Sequence, residues 1–258
     1  MDLDSEYLLF AGENNTPEIF YTIEGEGEYV GMPSVFMRFF GCNLTCKAFA
    51  TPDSPYGCDS YVSWSKKNKL TFNETFKLLE ELGYIEILKR KRNTILKYTG
   101  GEPLLRQDQL LKFTAAFVER YKFTPIIDFE TNGTVVPDVR WKNEFYASFT
   151  VSPKLASNGD PESKRYNEEA LQSHVKASLL NSAGFKFVIQ SEDDIKEVFE
   201  KYINKFCISL DRVWFMPCCG SRQEHVERAT RVVEWCKQYG VNFSPRLHLL
   251  VFDKALRV

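Results

Sequence analysis

Short apolar runs rich in β-branched and aromatic residues alternate along this chain with longer amphipathic segments, and this alternation limits the fold more than any other feature. Val35 to Phe39, Thr94 to Tyr98, Pro125 to Glu130, Phe145 to Val151, Gly184 to Ile189 and Arg212 to Met216 each predict a strand. Between them, Thr71 to Gly83, Asp108 to Tyr121, about Glu192 to Ile203, and Ser221 to Tyr239 predict helices, and Leu247 to Val251 predicts a closing strand. Thr71 with Glu74, and Ser221 with Glu224, read as capping boxes, with Gly83 and Gly240 as the stops. Phe72, Phe76 and Leu79 fall on one helical face. Strand then helix, repeated, is the pattern of a mostly parallel sheet with crossover helices. The units are too few for a closed eight-fold barrel. The expected architecture is therefore α/β, a partial open (β/α) barrel, in a single domain over residues 1–258. Functional loops should follow the C-terminal ends of its strands.

Other features narrow the class. A net charge of -2 gives no strong pull toward nucleic acid or membrane. The basic run Leu88 to Arg92 reads as a solvated helix end. No apolar run approaches the roughly 20 residues that span a bilayer. The start, Met-Asp-Leu-Asp-Ser-Glu, is acidic, unlike a secretory or transit leader, so a cytoplasmic protein is expected. Seven cysteines in such a chain point to metal ligation or catalysis rather than a disulfide framework.

Three of those cysteines share one loop. After the Val35 to Phe39 strand comes Gly41-Cys42-Asn43-Leu44-Thr45-Cys46, then eleven residues, then Cys58-Asp59-Ser60. Thiolates suit iron–sulfur clusters and zinc. Three of them can hold three irons of a four-iron cluster and leave the fourth iron open to a small molecule. A structural zinc with a further ligand among His174, His225, Cys207, Cys218 and Cys219 fits the same loop, and the cysteines alone do not decide. The pair Cys218-Cys219 reads as structural, Cys207 and Cys236 as core, and His174 and His225 as helix-surface residues.

Polar and glycine motifs follow the other strands. Gly100 and Gly101 suit either a turn or a close backbone approach to a ligand. Thr131 and Asn132, and Ser152 and Lys154, stand where they are turn or surface residues or ligand contacts. Arg38 needs a partner, either an internal carboxylate or a substrate's. His248 is either a core histidine or a site residue.

Taken in order, these segments resemble the 7-carboxy-7-deazaguanine synthase branch of the radical S-adenosylmethionine (SAM) superfamily. The resemblance is carried by Ile23-Glu24-Gly25-Glu26-Gly27, Arg38, Gly41-Cys42-Asn43-Leu44-x-Cys46 and Thr99-Gly100-Gly101-Glu102-Pro103. Glu130-Thr131-Asn132-Gly133, Ser152-Pro153-Lys154, Phe185-Lys186-Phe187-Val188 and Ser244-Pro245-Arg246-Leu247-His248 complete it, over about residues 18–251. One departure stands out: two residues usually precede the family's third cysteine, and here Lys47 to Gly57 intervene, an insertion carrying Pro52, Pro55 and Gly57.

The resemblance implies a [4Fe-4S] cluster on Cys42, Cys46 and Cys58, and Mg2+ on Ser60. It implies SAM contacts at Gly57, Asp59, Gly101, Glu102, Thr131, Asn132, Ser152, Pro153 and Lys154. It places substrate at Ile23, Glu24, Gly25, Arg38, Thr99 and His248. The implied reaction converts 6-carboxy-5,6,7,8-tetrahydropterin to 7-carboxy-7-deazaguanine with loss of ammonia. An external one-electron reductant and a homodimer come with it, and no direct nucleic-acid binding. A glycyl-radical activating enzyme and a non-catalytic zinc-binding module are the rival expectations.

Overall fold

The charged residues inside otherwise apolar strands set the architecture. In the computed structural model, residues 2–13, 16–50, 56–90, 93–180 and 182–255 are described. Among them, ten strands make one sheet: β1 (Tyr7–Ala11), β2 (Ile19–Ile23), β3 (Pro33–Phe39), β4 (Lys67–Thr71), β5 (Ile95–Gly100), β6 (Ile126–Thr131), β7 (Ser148–Val151), β8 (Ala183–Ile189), β9 (Val213–Pro217) and β10 (Asn242–Phe243). The order is β10-β9-β8-β7-β6-β5-β3-β1-β4, with β2 also on β3. From β3 to β10 along this path the neighbours run parallel, and β1, β2 and β4 add antiparallel pairs at one side. The sheet is an open, partial barrel.

Side chains alternate across a strand. Val35, Met37 and Phe39 of β3, Leu96 and Tyr98 of β5, Ile127 and Phe129 of β6, and Phe185 and Phe187 of β8 all enter the main core. They meet Phe72, Phe76 and Leu79 of the helix Phe72–Glu81, and Leu110, Phe113 and Phe117 of the helix Gln107–Tyr121. Phe76 stacks on Phe113 at 4.8 Å between ring centroids. Full burial of each such ring contributes about 1.5–3 kcal/mol. The intervening positions (Arg38, Lys97, Thr99, Asp128, Glu130, Thr150 and Lys186) face inward, so the concave side is polar. The parallel strands run the same way, so the loops after β3, β5, β6, β7, β9 and β10 gather at one rim.

The helix starts obey local chemistry. Thr71 Oγ1 accepts from the Glu74 amide and the Glu74 carboxylate takes the Thr71 amide, a complete capping box. Ser221 caps Arg222–Tyr239, but Glu224 turns instead to the Gly220 amide, so that expected box is only half formed. The run 192–203 is an α-helix over Glu192–Glu197 that widens into a π-helical turn over Val198–Ile203.

Four expectations are corrected. Leu247–Phe252 is a helix, not a strand. A short unbroken apolar run fits either, and here only Leu249 is buried while Val251 and Phe252 face outward. His174 is fully buried, because it shares the apolar stripe of the helix Glu168–Ser178 with Ala170, Leu171 and Ala177, against Phe149. His225 is also buried, and its Nε2 accepts from the Arg246 amide at 3.0 Å. Cys207 is exposed rather than core: it ends the helix Asn204–Phe206 in a left-handed conformation, φ 52°. Of the basic run Leu88 to Arg92, Lys89 and Arg90 form the exposed end of the helix Tyr84–Arg90, and Lys91 and Arg92 lie outside the described residues.

Candidate active site

The rim loops and the polar concave face enclose one cavity of about 440 Å³. It holds every residue the resemblance assigns to a site except Glu102 and Pro153; of the alternative zinc ligands, Cys218 and Cys219 line it, and His174, His225 and Cys207 do not. The cysteine loop forms one wall. Cys42, Cys46 and Cys58 border a common apolar patch with Leu44, Phe49, Val188 and Cys218. Burial pushes the Cys42 thiol up to about 12 and Cys58 to about 11, and raises Cys46 as well. Such thiols become ligands when a metal supplies the positive charge. Among the described residues, no three His, Cys, Asp or Glu side chains converge closely enough to chelate one ion. A four-iron cluster asks for something else, namely thiolates spread around a cube, and three free cysteines around one patch fit that need.

The insertion does not separate them. Gly57 adopts φ +81°, and a Cβ there would lie 2.3 Å from the Cys46 carbonyl oxygen and 2.7 Å from that of Lys47. The two ends of the excursion therefore touch, and Cys58 returns beside Cys46. Pro52 and Pro55 lie outside the described residues.

A second clamp comes from the turn after β7. The Asp160 carboxylate accepts from the Cys46 amide at 2.8 Å, the Thr45 amide at 3.0 Å, Thr45 Oγ1 at 2.9 Å and Asn158 Nδ2 at 3.0 Å. Burial pushes this carboxyl up, but those donors prevail and hold it below the usual range. Cys46 is thereby kept in a left-handed conformation, φ 52°. On the other side, Gly101 approaches so closely that a Cβ would sit 2.0 Å from the Gly41 carbonyl oxygen. Glu102 is fully buried beneath this contact and accepts from Leu104, Asn132 and Thr131. Burial pushes its carboxyl up to about 7. It ties the β5 loop to the β6 loop rather than facing the cavity. Pro153 is likewise buried, near Gly133.

Inside, charges pair in a ladder. Lys97 Nζ lies 2.6 Å from both Glu24 Oε2 and Asp128 Oδ2. Glu24 also accepts from the Gly25 and Glu26 amides through Oε1, so both its oxygens are engaged within the protein. Lys186 bonds Glu26, at 2.5 Å, and Glu130. Burial alone would raise the Glu26 carboxyl, but Lys186 and Arg246 hold it well below the usual range. Arg246 joins Glu26 at 2.8 Å, Asp59 and the Cys219 carbonyl. The Arg38 guanidinium meets Glu18 at 2.8 Å and donates to Ser60 Oγ at 3.1 Å, so the internal ion pair is present and Arg38 still faces the cavity. His248, its imidazole pushed down by burial, sits against Gly25. Lys154 donates to Ser152 Oγ at 2.8 Å, and Asn132 Nδ2 to Asn43 at 2.9 Å.

Sequence reasoning assigned no role to Glu26, Glu130, Lys186, Arg246, Asn158 or Asp160. Charges at alternating positions in apolar strands were a usable signal for Glu130 and Lys186. Asn158-Gly159-Asp160 signalled only a turn, since its partner lies more than a hundred residues away.

Comparison with known proteins agrees with this picture. No protein-family profile matches the chain. It is 32% identical to the 7-carboxy-7-deazaguanine synthase of Hyperthermus butylicus, over 91% of each chain. It is 31% identical to that of Pyrobaculum aerophilum, over 92% of this chain and 94% of the relative. The same name attaches to a Halobacterium salinarum protein, 28% identical over 92% of this chain. The crystal structure of QueE from Escherichia coli matches 93% of the chain with a TM-score of 0.60 at 20% identity, a likeness of fold.

Proposed function

The chain belongs to the 7-carboxy-7-deazaguanine synthase family, and on that premise we propose how its cavity works. The enzyme is a radical SAM lyase that converts 6-carboxy-5,6,7,8-tetrahydropterin to 7-carboxy-7-deazaguanine with release of ammonia. The observation that carries this reading is the opening of three cysteine thiols onto the same cavity as a charged, buried sheet face. Cys42, Cys46 and Cys58 would hold the [4Fe-4S] cluster, whose open iron would bind SAM. When bound, the cluster would supply a single electron and SAM the radical that takes a hydrogen atom from the substrate.

The chain's own part is positioning and exclusion of water. Gly101, whose backbone crosses the cysteine loop, and Gly57, Asp59, Thr131, Asn132, Ser152 and Lys154 lie around the thiols where SAM would rest. Glu102 and Pro153 support those loops from behind. Arg38 has donors to spare beyond Glu18 and Ser60, enough to take the substrate carboxylate. Glu24 fixes the Gly25 backbone beside His248, and Ile23 and Thr99 complete the substrate wall. Ser60, hydrogen-bonded to Asp59 at 3.0 Å, is the hydroxyl proposed for Mg2+. The helix Leu247–Phe252 lines the cavity through His248 and Leu249, and a cavity of about 440 Å³ with Arg38 on its lining suits a small molecule better than a protein loop. Family membership alone supports the external reductant, the homodimer and a cytoplasmic setting. No described helix is long and apolar enough to cross a membrane.

The test is anaerobic incubation of the iron-reconstituted, reduced protein with SAM, Mg2+ and 6-carboxy-5,6,7,8-tetrahydropterin, read by mass spectrometry. Formation of 7-carboxy-7-deazaguanine is expected. Formation of 5′-deoxyadenosine without it would move the substrate assignment, and neither product from iron-loaded protein would overturn the reading.

A further inference from the structure

Each cysteine of the loop has an N–H aimed at its sulfur. Cys42 Sγ faces the Leu44 amide at 3.4 Å, Cys46 Sγ faces Asn158 Nδ2 at 3.5 Å, and Cys58 Sγ faces Trp64 Nε1 at 3.3 Å. The indole is the shortest of the three and comes from a rigid side chain. Trp64 closes the short helix Tyr61–Trp64 that follows the cysteine loop, and Tyr61 meets it edge-on at 5.1 Å. Its carbonyl accepts from the Gly41 amide at 3.1 Å, tying both ends of the loop together independently of the indole. Of the four tryptophans, Trp64 is the one that lines the cavity among the described residues.

Reduction adds negative charge that spreads onto the ligating sulfurs. A donor dipole pointed at one of them stabilises the reduced state and raises the potential. We propose that Trp64 is a positioning residue that tunes the cluster, its Nε1–H donating to the Cys58 thiolate and making the cluster easier to reduce. This rests on the cluster assignment above.

The experiment is an EPR-monitored redox titration of the reconstituted full chain, comparing wild type, Trp64→Phe and Tyr61→Phe at equal iron content. Trp64→Phe should lower the midpoint by roughly tenfold in the reduction equilibrium, ~59 mV for one electron. Tyr61→Phe, which keeps the indole, should leave it unchanged. A Trp64→Phe midpoint equal to wild type overturns the proposal. If that variant takes up no cluster, the wild type decides: with indole-15N tryptophan, pulsed EPR of the reduced cluster should show a 15N coupling, and its absence overturns the proposal. A wild-type protein that assembles no cluster removes the cluster assignment itself, a result distinct from an unshifted midpoint.

Discussion

Replacing Asp160 with asparagine separates a clamp from a bystander. Four donors converge on this carboxylate, and two of them are the backbone amides of Thr45 and Cys46. Asparagine has nearly the same shape but no charge. With its oxygen in the Oδ2 position it keeps the Thr45 and Cys46 amides and Asn158 Nδ2, and its NH2 faces a Thr45 hydroxyl that can turn to accept, so what is lost is the charge behind three hydrogen bonds. A hydrogen bond to a charged group is worth about 1.5–3 kcal/mol and a neutral one about 0.5–1.5 kcal/mol, so each of the three weakens by about 1 kcal/mol. Some rehydration is available at this rim, so a net loss of about 1–3 kcal/mol is expected, falling on the local opening of the loop rather than on the sheet. At ~1.4 kcal/mol per tenfold, amide exchange at Thr45 and Cys46 should speed by roughly 5- to 100-fold. The assay is native-state hydrogen–deuterium exchange by mass spectrometry on reduced, metal-free protein, with peptides from β6 and β8 as the unaffected reference. Unchanged exchange at Thr45 and Cys46 in a folded Asp160→Asn protein would refute the argument that this carboxylate holds Cys46 in place.

Three further outcomes are expected. Cys42→Ala should keep the fold by circular dichroism and lose bound iron together with SAM cleavage; full activity would remove Cys42 from the ligand set. Gly101→Ala forces a methyl into the Gly41 carbonyl. It should lower stability by about 1–3 kcal/mol in a denaturant titration and reduce iron loading, and a wild-type midpoint would contradict the close approach. Burial pushes His174 from 6.5 down to about 4, so the unfolded chain takes the proton first and stability, complete above 6.5, declines as pH falls through that window. The decline amounts to roughly 3 kcal/mol by pH 4. His174→Gln should flatten that stretch of the midpoint-against-pH curve, and an equally steep curve would show that another group is responsible.

The parallel strands other than β10 were legible because each is a dense apolar run between helix caps that sequence marks well, such as Thr71 with Glu74; β10, two residues long, carries no such run. The antiparallel strands β1, β2 and β4 escaped notice. They are short, stand outside the strand–helix rhythm, and are defined by pairing with residues far along the chain, as Tyr7 is with Thr71. Leu247–Phe252 was misread because its apolar run carries no period long enough to separate helix from strand. The strand-end motifs were legible as a set, since order and placement do not depend on three-dimensional detail. Direction was not: nothing in the sequence tells that Glu102 looks away from the cavity while Gly101 borders it. The Asp160 clamp and the Arg246 bridge to Asp59 join segments more than a hundred residues apart, and only folding brings them together.

The contact of Gly57 with Cys46 and Lys47 turns the enlarged spacing into an appendix. The separation of Cys46 from Cys58 is therefore set by the neck and not by the number of residues between them. Phe49 packs on the cysteine patch, so the first turn of the insertion, Lys47–Phe49, belongs to the metal-binding wall and its composition matters. Each doubling of such an excursion costs only about 0.6 kcal/mol in closure entropy. Residues added between Ala50 and Tyr56 should thus leave the three sulfurs where the chemistry needs them, which makes that position one where a lineage can vary or an engineer can graft a tag or a docking peptide.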